Sequence, residues 1–131
     1  MHATAETIQT THAAAAIGPY SQAVLSGPLL FVSGQVPLDP STGQVISDDI
    51  REQSHRVLKS LTGILEAAGG SLEHVVRTTV FLTDLRDFAA VNEVYATYFT
   101  APFPARSTVQ VAALPKGVSI EIDAIAVLPE R

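Results

Sequence analysis

The chain has no cysteine, no tryptophan and only one methionine in 131 residues. The lack of cysteine excludes disulfides, thiolate nucleophiles and every zinc or iron–sulfur site that needs sulfur ligands. Basic residues are scarce too. Eight Lys and Arg stand against thirteen Asp and Glu, for a net charge of −5. A nucleic-acid binder normally carries a basic face, so DNA or RNA is an unexpected main partner. No apolar run approaches the roughly 18 residues of a membrane helix. Residues 1–18 hold no basic segment followed by an apolar one, so no secretory leader is read there. The expectation is a soluble, cytoplasmic protein. The four histidines, at positions 2, 12, 55 and 74, have neither HxH nor HxxxH spacing, and no dinucleotide, Walker or nucleophile-elbow glycine pattern occurs. No metal or cofactor is expected.

What remains is 47% hydrophobic and 16% charged, enough for one packed core in one domain spanning residues 1–131, with 1–16 its least defined part. Residues 7–10 read as a short first strand. Residues 22–25 and 29–33 read as a hairpin around Ser26-Gly27-Pro28, and 34–43, with two prolines and two glycines, as a loop. Ser47 or Asp48 is placed to cap a helix. Ile50, Val57, Leu58, Leu61, Ile64, Leu65 and Ala68 share one face of it, and Gly69-Gly70 ends it. The β-branched run at 74–82 reads as a strand. Thr83 or Asp84 caps a second helix extending to about Phe99, with Leu85, Phe88, Val91, Tyr95 and Phe99 as its apolar stripe. Residues 106–113 and 118–128 then read as two strands joined by Leu114-Pro115-Lys116-Gly117. The order is ββ, helix, β, helix, ββ. Two amphipathic helices cover one face of such a sheet. Both of the last strands read as apolar on both sides, so the other face calls for further copies of the chain.

Between Pro104 and Leu128 the only charges are Arg106, Lys116, Glu121 and Asp123. A charge on an apolar strand is costly unless something pairs with it. Alternation puts Arg106, Thr108 and Gln110 on one side of their strand, as a polar line suited to a cleft. A guanidinium fork matches a carboxylate with two parallel bonds. An internal ion pair of Arg106 with Asp123 or Glu121 is an equal alternative. A simple hairpin register sets Gln110 opposite Glu121, Thr108 opposite Asp123 and Arg106 opposite Ile125. Glu121, between Ile120 and Ile122, is a candidate general acid or base, with a solvated or structurally paired glutamate as the plainer reading. Tyr20 after Gly18-Pro19, and Ser33 before Gly34, are polar groups beside turns, where ligands are often met. Asn92, the only asparagine, sits beside the stripe of the second helix.

The segments IGPYSQAV, FVSGQVPLDPSTG, RTTVFLTDLRDFAAVNEVYATYF, FPARSTVQV and LPKGVSIEIDAIAV, taken in order, resemble the Rid (RidA/YjgF) family from about Ile17 to Val127. The resemblance implies a chorismate-mutase-like α+β fold, a mixed sheet with two helices on one face, and a homotrimer with sites between subunits. It implies hydrolysis of 2-imino and enamine acids, such as 2-aminoacrylate, to 2-keto acids and ammonia, without cofactor. Position by position, Arg106 matches the arginine that grips the substrate carboxylate and Glu121 the glutamate that handles water. Tyr20, Ser33 and Asn92 match pocket residues, and Gly34 lies beside them in the SGQ turn, as a further substrate-binding candidate. Thr108 stands where many members have cysteine, and the segment before Arg106 is shorter than in many, which bears on substrate size. The alternatives are a regulatory trimer that binds 2-keto acids without turnover, a deaminase dedicated to one pathway, and an RNA-cleaving translation inhibitor.

Overall fold

The computed structural model describes residues 5–129; His2 and the other terminal residues lie outside that range. Six strands form one sheet: β1 (Glu6–Ile8), β2 (Ala23–Ser26), β3 (Leu29–Gln35), β4 (Val75–Leu82), β5 (Ala105–Gln110) and β6 (Ile120–Val127). Two α-helices, α1 (Ile50–Ala67) and α2 (Phe88–Tyr95), separate β3 from β4 and β4 from β5. The spatial order is β1-β2-β3-β6-β4-β5. Only β4 and β5 run parallel; every other pair is antiparallel.

Helix α1 is the element most directly written in its residues. Asp49, rather than Ser47 or Asp48, is the N-cap and accepts from the Glu52 amide, while Ser47 Oγ accepts from the Asp49 amide one step earlier. Val57, Leu58, Leu61, Ile64 and Leu65 are fully buried against the sheet. The chain leaves the helix through Gly69 at φ +90°, a conformation other residues resist. Helix α2 is shorter than its stripe suggests. Asp84 caps a single 3-10 turn, Leu85–Asp87, and the α-helix then ends at Tyr95, four residues before Phe99. Phe99 is still buried in the core.

The expected β5–β6 hairpin does not form. β4 lies between the two strands, so Arg106 is level with Thr78 on β4, and Glu121 with Phe81. The reason is burial. Ile120, Ile122, Ala124 and Ala126 are at most 3% exposed, an apolar row that is buried by placing β6 mid-sheet, hydrogen-bonded on both edges. The polar β5, with Arg106, Ser107, Thr108 and Gln110, takes the outer edge, where unpaired backbone groups meet water. Crossing one strand spans only about 10 Å, within easy reach of the chain between Gln110 and Ile120.

Both helices lie on the same face. The second face carries Leu29 and Phe31 on β3, Ile125 and Val127 on β6, Phe81 on β4 and Val109 on β5. Phe31 is 44% exposed, Val127 42% and Val109 41%. The expected apolar face without cover is therefore present in the isolated chain. No helix among the described residues is long and apolar enough to cross a membrane.

Candidate functional site

Arg106 is half-buried, and its side chain turns toward the helix layer. Neither Asp123 nor Glu121 pairs with it: both project from the other face. Its one hydrogen bond among the described residues runs from Nη2 to Asn92 Oδ1 at 2.8 Å. The guanidinium carbon lies 4.7 Å from the ring centre of Tyr95 and 5.6 Å from that of Phe88. Phe88, Asn92 and Tyr95 recur at i, i+4 and i+7 on α2, so one helical face supplies the whole setting. The aromatic faces and the amide hold the cation without neutralising it. Asn92 is thus an arginine partner.

Thr108 lies two residues along on the same side of β5. Its Oγ1 is buried and has no hydrogen-bond partner among the described residues. Val111 N donates to Leu82 O, which fixes the parity of the β4–β5 ladder. The amides of Ser107 and Val109 therefore face β4, and those of Arg106, Thr108 and Gln110 point outward along the free edge. Arg106 and these edge amides form one half-site suited to a carboxylate.

The second half-site is on β3 and β6. Glu121 lies across Gly34, which sits within the register shift between Val32 and Gln35. β3 thus continues through Gln35, where a loop was expected. A Cβ on Gly34 would fall on Glu121 Oε2 and only 2.7 Å from its Cδ, so the glycine is what makes room for the carboxylate. Ser33 is tied back: its Oγ donates to Ser21 O at 2.6 Å and its amide to Gln22 O at 2.9 Å. Tyr20 is half-exposed and its hydroxyl accepts from the Ile17 amide at 3.4 Å. A cavity of about 400 Å³ is lined by Tyr20, Ser33, Gly34, Glu121, Ile17 and Lys116, among others. Gln22, only 4% exposed, fixes its wall by donating to the carbonyls of Thr10, Ala13 and Ala14 and accepting from the Thr10 amide. Lys116 Nζ bonds Gly43 O at 2.7 Å and ties the two loops at the rim.

Burial raises the pKa of Glu121 above the usual glutamate range, and the neighbouring Asp123 carboxylate raises it further. No donor or cation among the described residues offsets this. The stability consequence has a definite sign. A carboxyl raised in the folded state favours folding fully below its unfolded pKa, and that contribution is lost as pH rises through the folded value. Glu121→Gln is therefore expected to raise the Tm at pH 7 relative to wild type, with the difference shrinking below pH 4. Thermal melts across pH check this; a Gln variant less stable at neutral pH would contradict it.

The chain thus brings the seven predicted site residues into two groups: Arg106, Asn92 and Thr108 at the β5 edge under α2, and Tyr20, Ser33, Gly34 and Glu121 on β3 and β6. The strand β4 and the thickness of the sheet separate them. Sequence reasoning placed Phe88 and Tyr95 in the apolar stripe and missed their contact with Arg106, and it missed Gln22 and Lys116. An aromatic pair flanking the one asparagine at helical spacing was the available signal for the first two. Among the described residues no group of three or more His, Asp and Glu side chains is placed to hold a metal ion.

The profile of the family described as Endoribonuclease L-PSP matches residues 10–128. The chain belongs to this family, also known as Rid or YjgF. Over 120 residues it is 54% identical to the 2-iminobutanoate/2-iminopropanoate deaminase of Mus musculus, covering 92% of this chain and 89% of that protein. The structure of RidA from the Antarctic bacterium Psychrobacter sp. PAMC 21119 superposes with a TM-score of 0.91 at 48% identity, covering 94% of this chain and 99% of that one. The structure of E. coli TdcF with bound serine gives a TM-score of 0.90 at 46% identity, covering 95% and 99%. Rid relatives thus carry both deaminase and endoribonuclease names, and the mixed α+β sheet with two helices agrees with these structures.

Proposed function

We propose that this Rid protein hydrolyses reactive 2-imino and enamine acids, such as 2-aminoacrylate and 2-iminobutanoate, to 2-keto acids and ammonia. In this reading it is a cytoplasmic, chorismate-mutase-like homotrimer that clears intermediates released by pyridoxal-phosphate enzymes, and each site is built by two chains. The observation that carries the proposal is the division into two incomplete half-sites: an arginine whose charge no carboxylate among the described residues neutralises, and a carboxylate with raised pKa over a cavity. The deaminase name of the mouse relative and the serine, itself a carboxylate, bound to TdcF support it.

The chemistry asks for little more. Arg106 and the outward amides of β5 hold the substrate carboxylate and so orient the C=N carbon. Glu121 takes a proton from water as its oxygen bonds to that carbon, then returns it to nitrogen. The hydroxyl proton of the resulting carbinolamine follows the same route to nitrogen as the C–N bond breaks, so that ammonia leaves and the keto acid remains. A carboxyl poised above its ordinary pKa is suited to such two-way transfer. Tyr20, Ser33, Gly34, Asn92 and Thr108 shape and orient the site. The acidic net charge and scattered basic residues favour this reading over RNA cleavage.

Two measurements test the assembly. Phe31→Glu on the apolar face is expected to lower the sedimenting mass from trimer to monomer and to abolish turnover. Separately, Arg106→Ala and Glu121→Gln chains, each inactive alone, are expected to recover about a quarter of wild-type activity when co-assembled in equal amounts, the chance that a two-chain site is intact under random mixing. Sites built within one chain would recover none.

A further inference from the structure

Arg106 must be held in place without losing the charge it offers to a ligand. A carboxylate partner would hold it and also neutralise it. The structure uses neutral groups instead. Asn92 Oδ1 takes one guanidinium nitrogen, Nη2, and the Tyr95 ring lies against the cation at 4.7 Å, closer than Phe88. Tyr95 is itself fixed. Its hydroxyl and Thr78 Oγ1 share a hydrogen bond of 2.8 Å, and the two residues are 6% and 0% exposed. The Phe99 ring packs 4.5 Å from its own. Thr78 is the register partner of Arg106 on β4. The strand residue beside the arginine therefore pins the aromatic ring that supports it, and a closed triangle joins β4, α2 and β5.

We infer that Tyr95, anchored by Thr78, is a positioning residue that presents the Arg106 guanidinium to the ligand carboxylate with its charge intact. The inference rests on the reading of Arg106 as the carboxylate grip. Cation–π contacts of this kind correspond to roughly 3- to 30-fold in affinity. The hydroxyl of Tyr95 serves only its anchoring and the ring supports the cation, so the two roles separate by substitution.

The test uses the full-length assembled protein with Tyr95→Leu, Tyr95→Phe, Thr78→Val and the exposed Phe88→Leu. Three readouts are taken: imine turnover, 2-oxobutyrate binding by calorimetry, and the Arg106 side-chain Nε–Hε resonance. Tyr95→Leu is expected to raise KM and the 2-oxobutyrate Kd together by roughly 3- to 30-fold, with a smaller fall in kcat, and to shift and broaden the Arg106 resonance. Tyr95→Phe is expected to lower the Tm, because the buried Thr78 loses its partner, yet to keep near-wild-type affinity. Phe88→Leu, which empties no core space, should weaken binding without changing the Tm. Unchanged affinity and an unchanged Arg106 resonance in Tyr95→Leu would overturn the inference, as would affinity that merely tracks Tm across the set. If Tyr95→Leu does not fold, Tyr95→Met, which fills more of the same space without an aromatic face, takes its place, and unchanged affinity with an unchanged Arg106 resonance in that variant overturns the inference. A wild-type protein that neither binds 2-oxobutyrate nor turns over imine would refute the carboxylate reading instead, and the Arg106 resonance would still decide the role of Tyr95.

Discussion

Replacing Arg106 with alanine is expected to lower kcat/KM for keto-acid release by about 100-fold or more while leaving the fold intact. A charge-assisted bond to a carboxylate contributes about 1.5–3 kcal/mol, and loss of orientation at the C=N carbon adds to that. The fold should survive because Arg106 sits on the edge strand, with one side-chain hydrogen bond and no ion pair to lose among the described residues. Arg106→Lys should fall between the two. It keeps the charge but cannot present a planar fork to the carboxylate or lie flat on Tyr95. The check is keto-acid release from 2-aminoacrylate generated in situ by a dehydratase, beside the slow background hydrolysis. Activity of Arg106→Ala equal to wild type would remove the basis for the proposed function.

The smallest substitution in the site carries the second large effect. Gly34→Ala adds one methyl group, and that methyl would occupy the space of the Glu121 carboxylate. The glycine is needed here for close approach and not for an unusual backbone angle. Glu121 is a flexible side chain and can swing aside, so the protein should fold. The carboxylate would then no longer lie over the cavity. Positioned acid–base catalysis is worth about 10²- to 10⁴-fold, and turnover is expected to drop within that range. Affinity for 2-oxobutyrate should change far less, because the carboxylate grip is on a different strand and the opposite face of the sheet. Turnover and calorimetry on the same preparation distinguish the two effects. An alanine variant with full turnover would mean that the position of Glu121 does not matter.

Much of the architecture is legible in the residues because it follows from local chemistry. The apolar face of α1 recurs every three to four residues and glycine ends it, so the helix follows from the residues of one short window, although its cap, Asp49, falls one or two residues later than the sequence suggests. The alternation in β6 is equally local, and so is the conclusion that its sheet has a face without cover. Errors began where a partner had to be chosen. The LPKG turn looks like a hairpin connection, yet β6 gains more by pairing on both edges in the middle of the sheet than by pairing with β5 alone. That choice depends on burial summed over the whole sheet.

The same limit applies to the site. Arg106, Glu121 and Gly34 stand out by type and by neighbours, since charges on apolar strands are expensive wherever the strands go. Which group each one meets is decided by topology. The insertion of β4 separates Arg106 from Glu121, directs the guanidinium to Asn92 and the aromatic face of α2, and leaves the carboxylate with Gly34 on the opposite side. A strand pattern specifies which side chains share a face, because successive residues alternate. It carries no information about which strand lies next to it, because any edge offers the same backbone donors and acceptors. The identity of the chemical groups was therefore set residue by residue, and their division into two half-sites arose only when the sheet was assembled.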